Sequence, residues 1–91
     1  MLSDASMENV ISQSRRPRPR PRHRLRFGMA LRRRRQVLGL SQEGLAEATG
    51  CHRNFVGNIE RGEQNLSIDS MVKFARALKC GLADLFSDAG L

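Results

Sequence analysis

Glycine stands at positions 39, 50 and 62, and each closes a run of apolar residues set at helical spacing. Phe27, Leu31 and Leu38 precede Gly39 and predict a first helix. Arg34 falls on the same stripe, where its long stem would have to snorkel at the edge. Leu45, Ala46 and Thr49 share one face before Gly50, behind a Ser41 N-cap, so residues 42–49 form a second helix of two turns. Gly44 inside it costs about 1 kcal/mol against Ala. Phe55, Val56 and Ile59 precede Gly62 and make a third helix from His52 to Arg61. Ser67 then caps a fourth, carrying Ile68, Met71, Val72, Ala75 and Leu78, and Leu82, Leu85 and Phe86 make a fifth. No strand pattern and no internal repeat is found. The expectation is a compact all-α domain of five short helices over roughly residues 27–86, built on one core.

The chain has 91 residues, enough for one small domain. Its four aromatic residues are all Phe, while Leu, Ala and Gly are plentiful, which suits helices better than a sandwich or barrel. The net charge of +7 is unevenly placed: residues 1–26 carry +5 and residues 27–91 carry +2. Within the first of these, "RRPRPRPRHR" (residues 15–24) alternates Arg with Pro, which removes backbone donors and forbids helix. The expected organisation is a flexible Arg/Pro-rich arm over residues 1–24, a folded helical domain over 25–87 and a short tail over 88–91. The arm is open between a solvated tail, an upstream extension of the true start (Met7 and Met29 are alternative initiators) and a nucleic-acid contact drawn by charge.

Cys51 and Cys80 have no CxxC spacing, and only His23 and His52 are present to help them, so no metal site is expected. With no signal-peptide core and no long apolar run, the chain reads as a cytoplasmic protein with reduced thiols, both acting as small buried hydrophobes. Catalysis finds no support. His52 has no nucleophile or carboxylate at a defensible spacing, the eight glycines are scattered, and Glu60 and Glu63 do not share a helical face. No cofactor, membrane contact or small-molecule substrate is expected.

The turn between the second and third helices is about four residues long and contains Gly, which is helix-turn-helix spacing. On the third helix Phe55, Val56 and Ile59 point inward, leaving Arg53, Asn54, Gly57 and Arg61 outward with Asn58 at the edge and His52 near the start. A solvated face is usually built from Glu and Lys. This one has Arg, two Asn and a Gly, so helix propensity is conceded at its centre. Arg can read guanine O6 and N7, Asn can read adenine N6 and N7, and a bare Gly57 would let the helix approach base edges closely. Gln42, at the start of the second helix, suits a phosphate contact, or is with Glu43 an ordinary first-turn residue. His52 is open between cap, phosphate contact and base contact.

The segment spanning residues 27–86 resembles the lambda-repressor-like, Cro/XRE-type helix-turn-helix family, through "GLSQEGLA" (39–46), "IERG" (59–62) and "LADLF" (82–86) in combination. Residues 52–65, "HRNFVGNIERGEQN", particularly resemble restriction–modification controller proteins. The resemblance implies a five-helix transcriptional regulator that binds double-stranded operator DNA as a symmetric homodimer, with residues 42–49 and 52–60 as the helix-turn-helix pair. It implies base contacts from Arg53, Asn54 and Asn58, with His52 at the helix start, and a phosphate contact from Gln42. Gln64 and Asn65 fall in a loop that often touches the DNA backbone, and Arg61 is a further phosphate candidate. It implies a salt bridge between Arg35 and Glu60. The chain departs from the family at Gly44, at Lys79, where a helix-ending Gly is common, and at Gly81, where a capping Ser is common. Leu82, Leu85, Phe86 and Phe74 are candidates for a dimer interface, with burial in their own core as the competing role. An antitoxin-like protein-interaction module that binds DNA secondarily is the alternative function.

Overall fold

In the computed structural model, which describes residues 20–91, α1 (Arg22–Val37) begins directly after the last proline of the sequence. The Pro21 carbonyl accepts the amides of Arg24 and Leu25 at 3.0 and 3.2 Å, and beyond it every residue can donate to the helical ladder. The chain continues through α2 (Gln42–Thr49), α3 (Arg53–Glu60), α4 (Ile68–Ala77) and α5 (Leu82–Ala89), with no strand among the described residues. The all-α, five-helix expectation is met, with two boundaries moved. Residues 22–24 are helix rather than arm; residues 1–19 of the expected arm lie outside the described residues. At the other end Asp88 and Ala89 belong to α5 rather than to a tail. Both extensions are held by contacts the local pattern does not show. Leu25 packs on the backbone of Gly62, Asp88 accepts from Arg34, and Ala89 is buried.

The helix starts follow from short polar side chains that accept orphan amides. Ser41 Oγ accepts from Gly44 N at 2.9 Å, and Ser67 Oγ from Ser70 N at 3.1 Å. Gly81 has no side chain to offer, and only the reciprocal bond forms, Gly81 N donating to Asp84 Oδ2 at 2.9 Å. All five helices end alike. A residue in the left-handed region is followed by one whose amide reaches back five residues: Leu40 to Arg35, Cys51 to Ala46, Glu63 to Asn58, Cys80 to Ala75 and Leu91 to Phe86. At four of these ends the left-handed residue is Gly, and after α4 it is Lys79, with φ 60°.

Each helix supplies one large, fully buried side chain to the centre: Leu31, Leu45, Val56, Phe74 and Leu85. Phe27 meets Phe86 edge-on at 5.9 Å, and Phe55 lies 6.3 Å from Phe74. Phe74 is therefore core, 1% exposed, and cannot serve a dimer interface. Leu85 is core as well, whereas Leu82 and Phe86 are half-buried. Two residues of the expected stripes face water instead, Leu38 because it caps α1 and Ile68 because it opens α4. Arg34 sits at the edge of the stripe and donates to Asp88 at 2.5 Å, which keeps its charge out of the core. That hydrogen bond also raises the Arg34 pKa above its ordinary value.

α1 packs closely on α3. Gly28 is buried there, and a Cβ on it would lie 2.2 Å from the carbonyl oxygen of Ile59 and 2.8 Å from that of Glu60. This contact fixes the position of α3 on the body of the domain.

Candidate nucleic-acid interface

α3 is held in place by polar groups as well as by Gly28. The Glu60 carboxylate accepts Arg35 Nε at 2.6 Å and Arg35 Nη2 at 3.0 Å. The remaining Arg35 nitrogen, Nη1, donates to the Leu40 carbonyl at 2.9 Å, and Gln42 Nε2 donates to Glu60 Oε1 at 3.0 Å. One carboxylate thus ties α1, α2 and α3 together. The Arg35 and Glu60 side chains are only 10% and 4% exposed, yet no buried side-chain polar atom among the described residues lacks a partner.

On this frame α3 presents its polar face. His52 is the N-cap: its Nδ1 accepts the Asn54 amide at 3.0 Å, which fixes the ring and turns Nε2 outward. The cap, one of the three roles open to His52, is formed. Arg53 and Asn54 are exposed. Arg53 makes only a loose 3.5 Å contact with Glu43, both side chains being well over half exposed. That contact needs little energy to exchange for another. Asn58 is half-buried, with its amide oxygen accepting from Arg61 Nη2. Arg61 also reaches Glu63 at 3.4 Å.

Gly57 departs from expectation. It is buried rather than open on the outward face. A Cβ there would lie 3.1 Å from Arg61 Nη1 and 3.6 Å from Gln42 Oε1. The room left by the missing side chain is already occupied, by Gln42 crossing from α2 and by Arg61 folding back along α3. Gly57 therefore shapes the surface by letting these two side chains lie over it. Gln42 is likewise half committed. One amide hydrogen goes to Glu60, and the second remains for an external acceptor at the start of α2.

The loop after α3 carries Gln64, half-buried, and Asn65, exposed. Both line an apolar cavity with His23, Arg24, Phe27 and Leu66. The loop is pinned to the start of α1 by Arg20, whose Nη2 lies 2.8 Å from Glu63 Oε2. Sequence reasoning gave Glu43 only a first-turn role and gave Arg20 and Glu63 none in the interface, since the Arg53–Glu43 and Arg20–Glu63 pairings cross between elements and leave no local mark.

The cysteines are half-buried against the core. Cys51 Sγ sits 3.1 Å from the Thr49 hydroxyl. Burial pushes the Cys80 thiol above its ordinary pKa, with Arg34 pulling weakly the other way. Among the described residues no group of three or more His, Cys, Asp or Glu is placed to hold a metal, and no helix is long and apolar enough to cross a membrane.

Comparison with known proteins places these features in a family. A helix-turn-helix family model, HTH_3, matches residues 31–85. The control protein C.SmaI of Serratia marcescens is 39% identical over 57 residues, which span 63% of this chain and 68% of that protein. The control protein C.BamHI of Bacillus amyloliquefaciens is 41% identical over 46 residues, 50% of this chain and 57% of that protein. Among solved structures, the restriction-modification controller protein C.AhdI of Aeromonas hydrophila superposes with a TM-score of 0.66 at 44% identity, covering 68% of this chain and 94% of its own. The clp gene regulator ClgR of Corynebacterium glutamicum superposes with a TM-score of 0.75 at 30% identity, covering 81% and 95%.

Proposed function

The chain belongs to the HTH_3 helix-turn-helix family, and on that premise we propose that it is a sequence-specific DNA-binding transcription regulator acting in the cytoplasm as a homodimer. In this reading α3 lies in the major groove of each half of a palindromic operator. The observation that carries it is the contrast within α3. Its inner side is held by Gly28 and the Arg35–Glu60–Gln42 group, while Asn54 and Arg53, the latter in only a loose contact with Glu43, are exposed at its outer N-terminal end.

The N-terminal residues of such a helix are the ones that reach base edges. Arg53 offers a two-pronged donor suited to guanine O6 and N7, and Asn54 a donor and acceptor suited to adenine N6 and N7. Asn58, one turn further on, reads a base only after its bond to Arg61 opens. His52 serves the base-reading end indirectly, by capping it. Gln42, with the first amides of α2, takes a phosphate on one side of the groove. Arg61, Gln64 and Asn65 take the backbone on the other. Leu82 and Phe86 are the dimer-interface candidates left once Phe74 and Leu85 are assigned to the core.

Selection from a random duplex library tests the reading. The full chain is expected to enrich a palindrome whose half-sites lie about one helical turn, ~34 Å, apart. Arg53→Ala is expected to cost about 1–3 kcal/mol on that site and to relax preference at one base position per half-site. An Arg53→Ala protein that kept the same ratio of specific to random binding would refute the base-reading role.

A further inference from the structure

Between the start of α1 and the loop after α3 lies a cavity of about 210 Å³. Its floor is apolar and drawn from four helices and the loop: Phe27 of α1, Ile59 of α3, Leu66, Met71 of α4 and Phe86 of α5. Phe27 and Ile59 are buried, whereas Leu66, Met71 and Phe86 are only half-buried. The walls are tied on two sides. Phe86 stands edge-on against Phe27 at 5.9 Å, and Arg20 pins the loop through Glu63 at 2.8 Å.

The polar side chains lining the cavity are His23, Arg24, Gln64 and Asn65, with no acid among them. Arg24 is half-buried, and none of the ion pairs among the described residues includes it. α1 has no acid in its first turn, and Glu63, the one acid of the loop, is held by Arg20 and Arg61. A half-buried guanidinium beside apolar surface attracts an anion more strongly than one in open water, and its fork fits a carboxylate. Gln64 and Asn65 add amide donors. An apolar hollow with a few converging polar groups is the ordinary form of a small-molecule site. Size narrows the class. An apolar cavity of about 150 Å³ holds benzene, so this one holds a single ring or a short acyl chain bearing one carboxylate.

We propose that this cavity binds a small amphipathic carboxylate, with its apolar part on Phe27, Leu66, Met71 and Phe86 and its charge at Arg24, and that the bound anion weakens the grip on DNA. The second half rests on the reading given above, in which Gln64 and Asn65 take the DNA backbone. A carboxylate held beside them occupies their amides and sets a negative charge next to the phosphates. The coupling is reciprocal, so bound DNA loosens the carboxylate by the same factor.

Phenylacetate, titrated into the full-length chain and followed by NMR, tests the site with no DNA present. Binding is expected to saturate and to shift the resonances of Phe27, Leu66, Met71 and Phe86. Neutral phenylacetamide, which has the same ring, is expected to bind the wild type about tenfold more weakly, a comparison that needs no variant. Arg24→Met keeps an apolar stem and removes the charge. It is expected to weaken phenylacetate by a similar factor and to leave phenylacetamide unmoved. In a second arm, saturating phenylacetate is expected to weaken binding of the selected duplex at least about fivefold in the wild type and not in Arg24→Met. No saturable binding, equal binding of acid and amide, or equal binding of the acid by wild type and variant overturns the site. Saturable binding that leaves duplex affinity unchanged overturns the coupling. A dimer that Met71→Trp breaks in the absence of phenylacetate would give the cavity to a second copy of the chain and overturn the proposal as well. If the library yields no preferred duplex, the reading of α3 falls, while the titration without DNA still decides the site.

Discussion

Arg35 and Glu60 face each other across the α1–α3 contact through two parallel bonds, Nε to Oε2 at 2.6 Å and Nη2 to Oε1 at 3.0 Å. Glu60 is nearly inaccessible, so neither charge can be left alone. Removing one partner strands the other in a poorly solvated site, which typically costs about 3–5 kcal/mol. Arg35→Ala and Glu60→Ala are each expected to fall in that range by denaturant titration. The double variant should be much less destabilised than the two single effects added together. Strict additivity would show that the pair is not coupled.

Lys79 is the one non-glycine with positive φ among the described residues. A side chain in the left-handed region costs roughly 1 kcal/mol. Lys79→Gly is therefore expected to stabilise the domain by about 0.5–1 kcal/mol, seen as a higher denaturation midpoint at constant slope. A lower midpoint would mean that the unfolded chain's greater freedom with glycine outweighs the relief of strain.

Gly28 admits no side chain. The atoms a Cβ would strike are backbone carbonyls of Ile59 and Glu60, which cannot rotate away. Gly28→Ala should therefore destabilise by at least the roughly 1–3 kcal/mol typical of overpacking, despite alanine's better helix propensity. Since α1 would have to lift off α3, DNA binding should fall in parallel. A stable, fully active Gly28→Ala protein would contradict the close approach.

Gly57→Ala should separate stability from binding. The nearest atom to the new methyl is the mobile end of Arg61, at 3.1 Å, so the packing strain is small. Helix propensity favours the substitution by up to about 1 kcal/mol, and the fold should be nearly unchanged or slightly stabilised. Gln42 and Arg61 would nevertheless be displaced from the surface they now shape, and affinity for the selected duplex should drop. Unchanged affinity would leave Gly57 without a role in the interface.

Cys80 sets a pH dependence on the alkaline side. Burial holds its proton more tightly in the folded chain than in the unfolded one. The resulting stabilisation is fully present below the thiol's unfolded pKa and is lost as pH rises through the raised folded value. Cys80→Ala should flatten the fall of stability between those two values. An alkaline limb equally steep in both proteins would assign the fall to other groups.

The helices were legible because their signals are local: an apolar spacing, a serine before, a glycine after. The Arg35–Glu60 pair was legible only through family resemblance, since nothing in the spacing of the two residues announces a bond across 25 positions. What the sequence hid lies between elements. Gly28 looks like a weak point in a helix until the carbonyls of α3 are seen beneath it. Gly57 reads as an opening until Gln42 is seen to fill it from another helix. The arginine–proline pattern starts α1 too late on paper, because tertiary contacts of Leu25 and Arg20 support a turn that propensity alone does not.

The five large buried side chains, one from each helix, mean that this molecule has no smaller working version. Any truncation that removes a helix also removes a share of the single centre against which the others are folded. α3 has eight residues, too few to hold a helix alone in water. The exposed residues of α3 therefore cannot be borrowed as a peptide. Any change made at Arg53 or Asn54 has to be made in the whole domain, where the outward positions are free to vary and the inward ones are not.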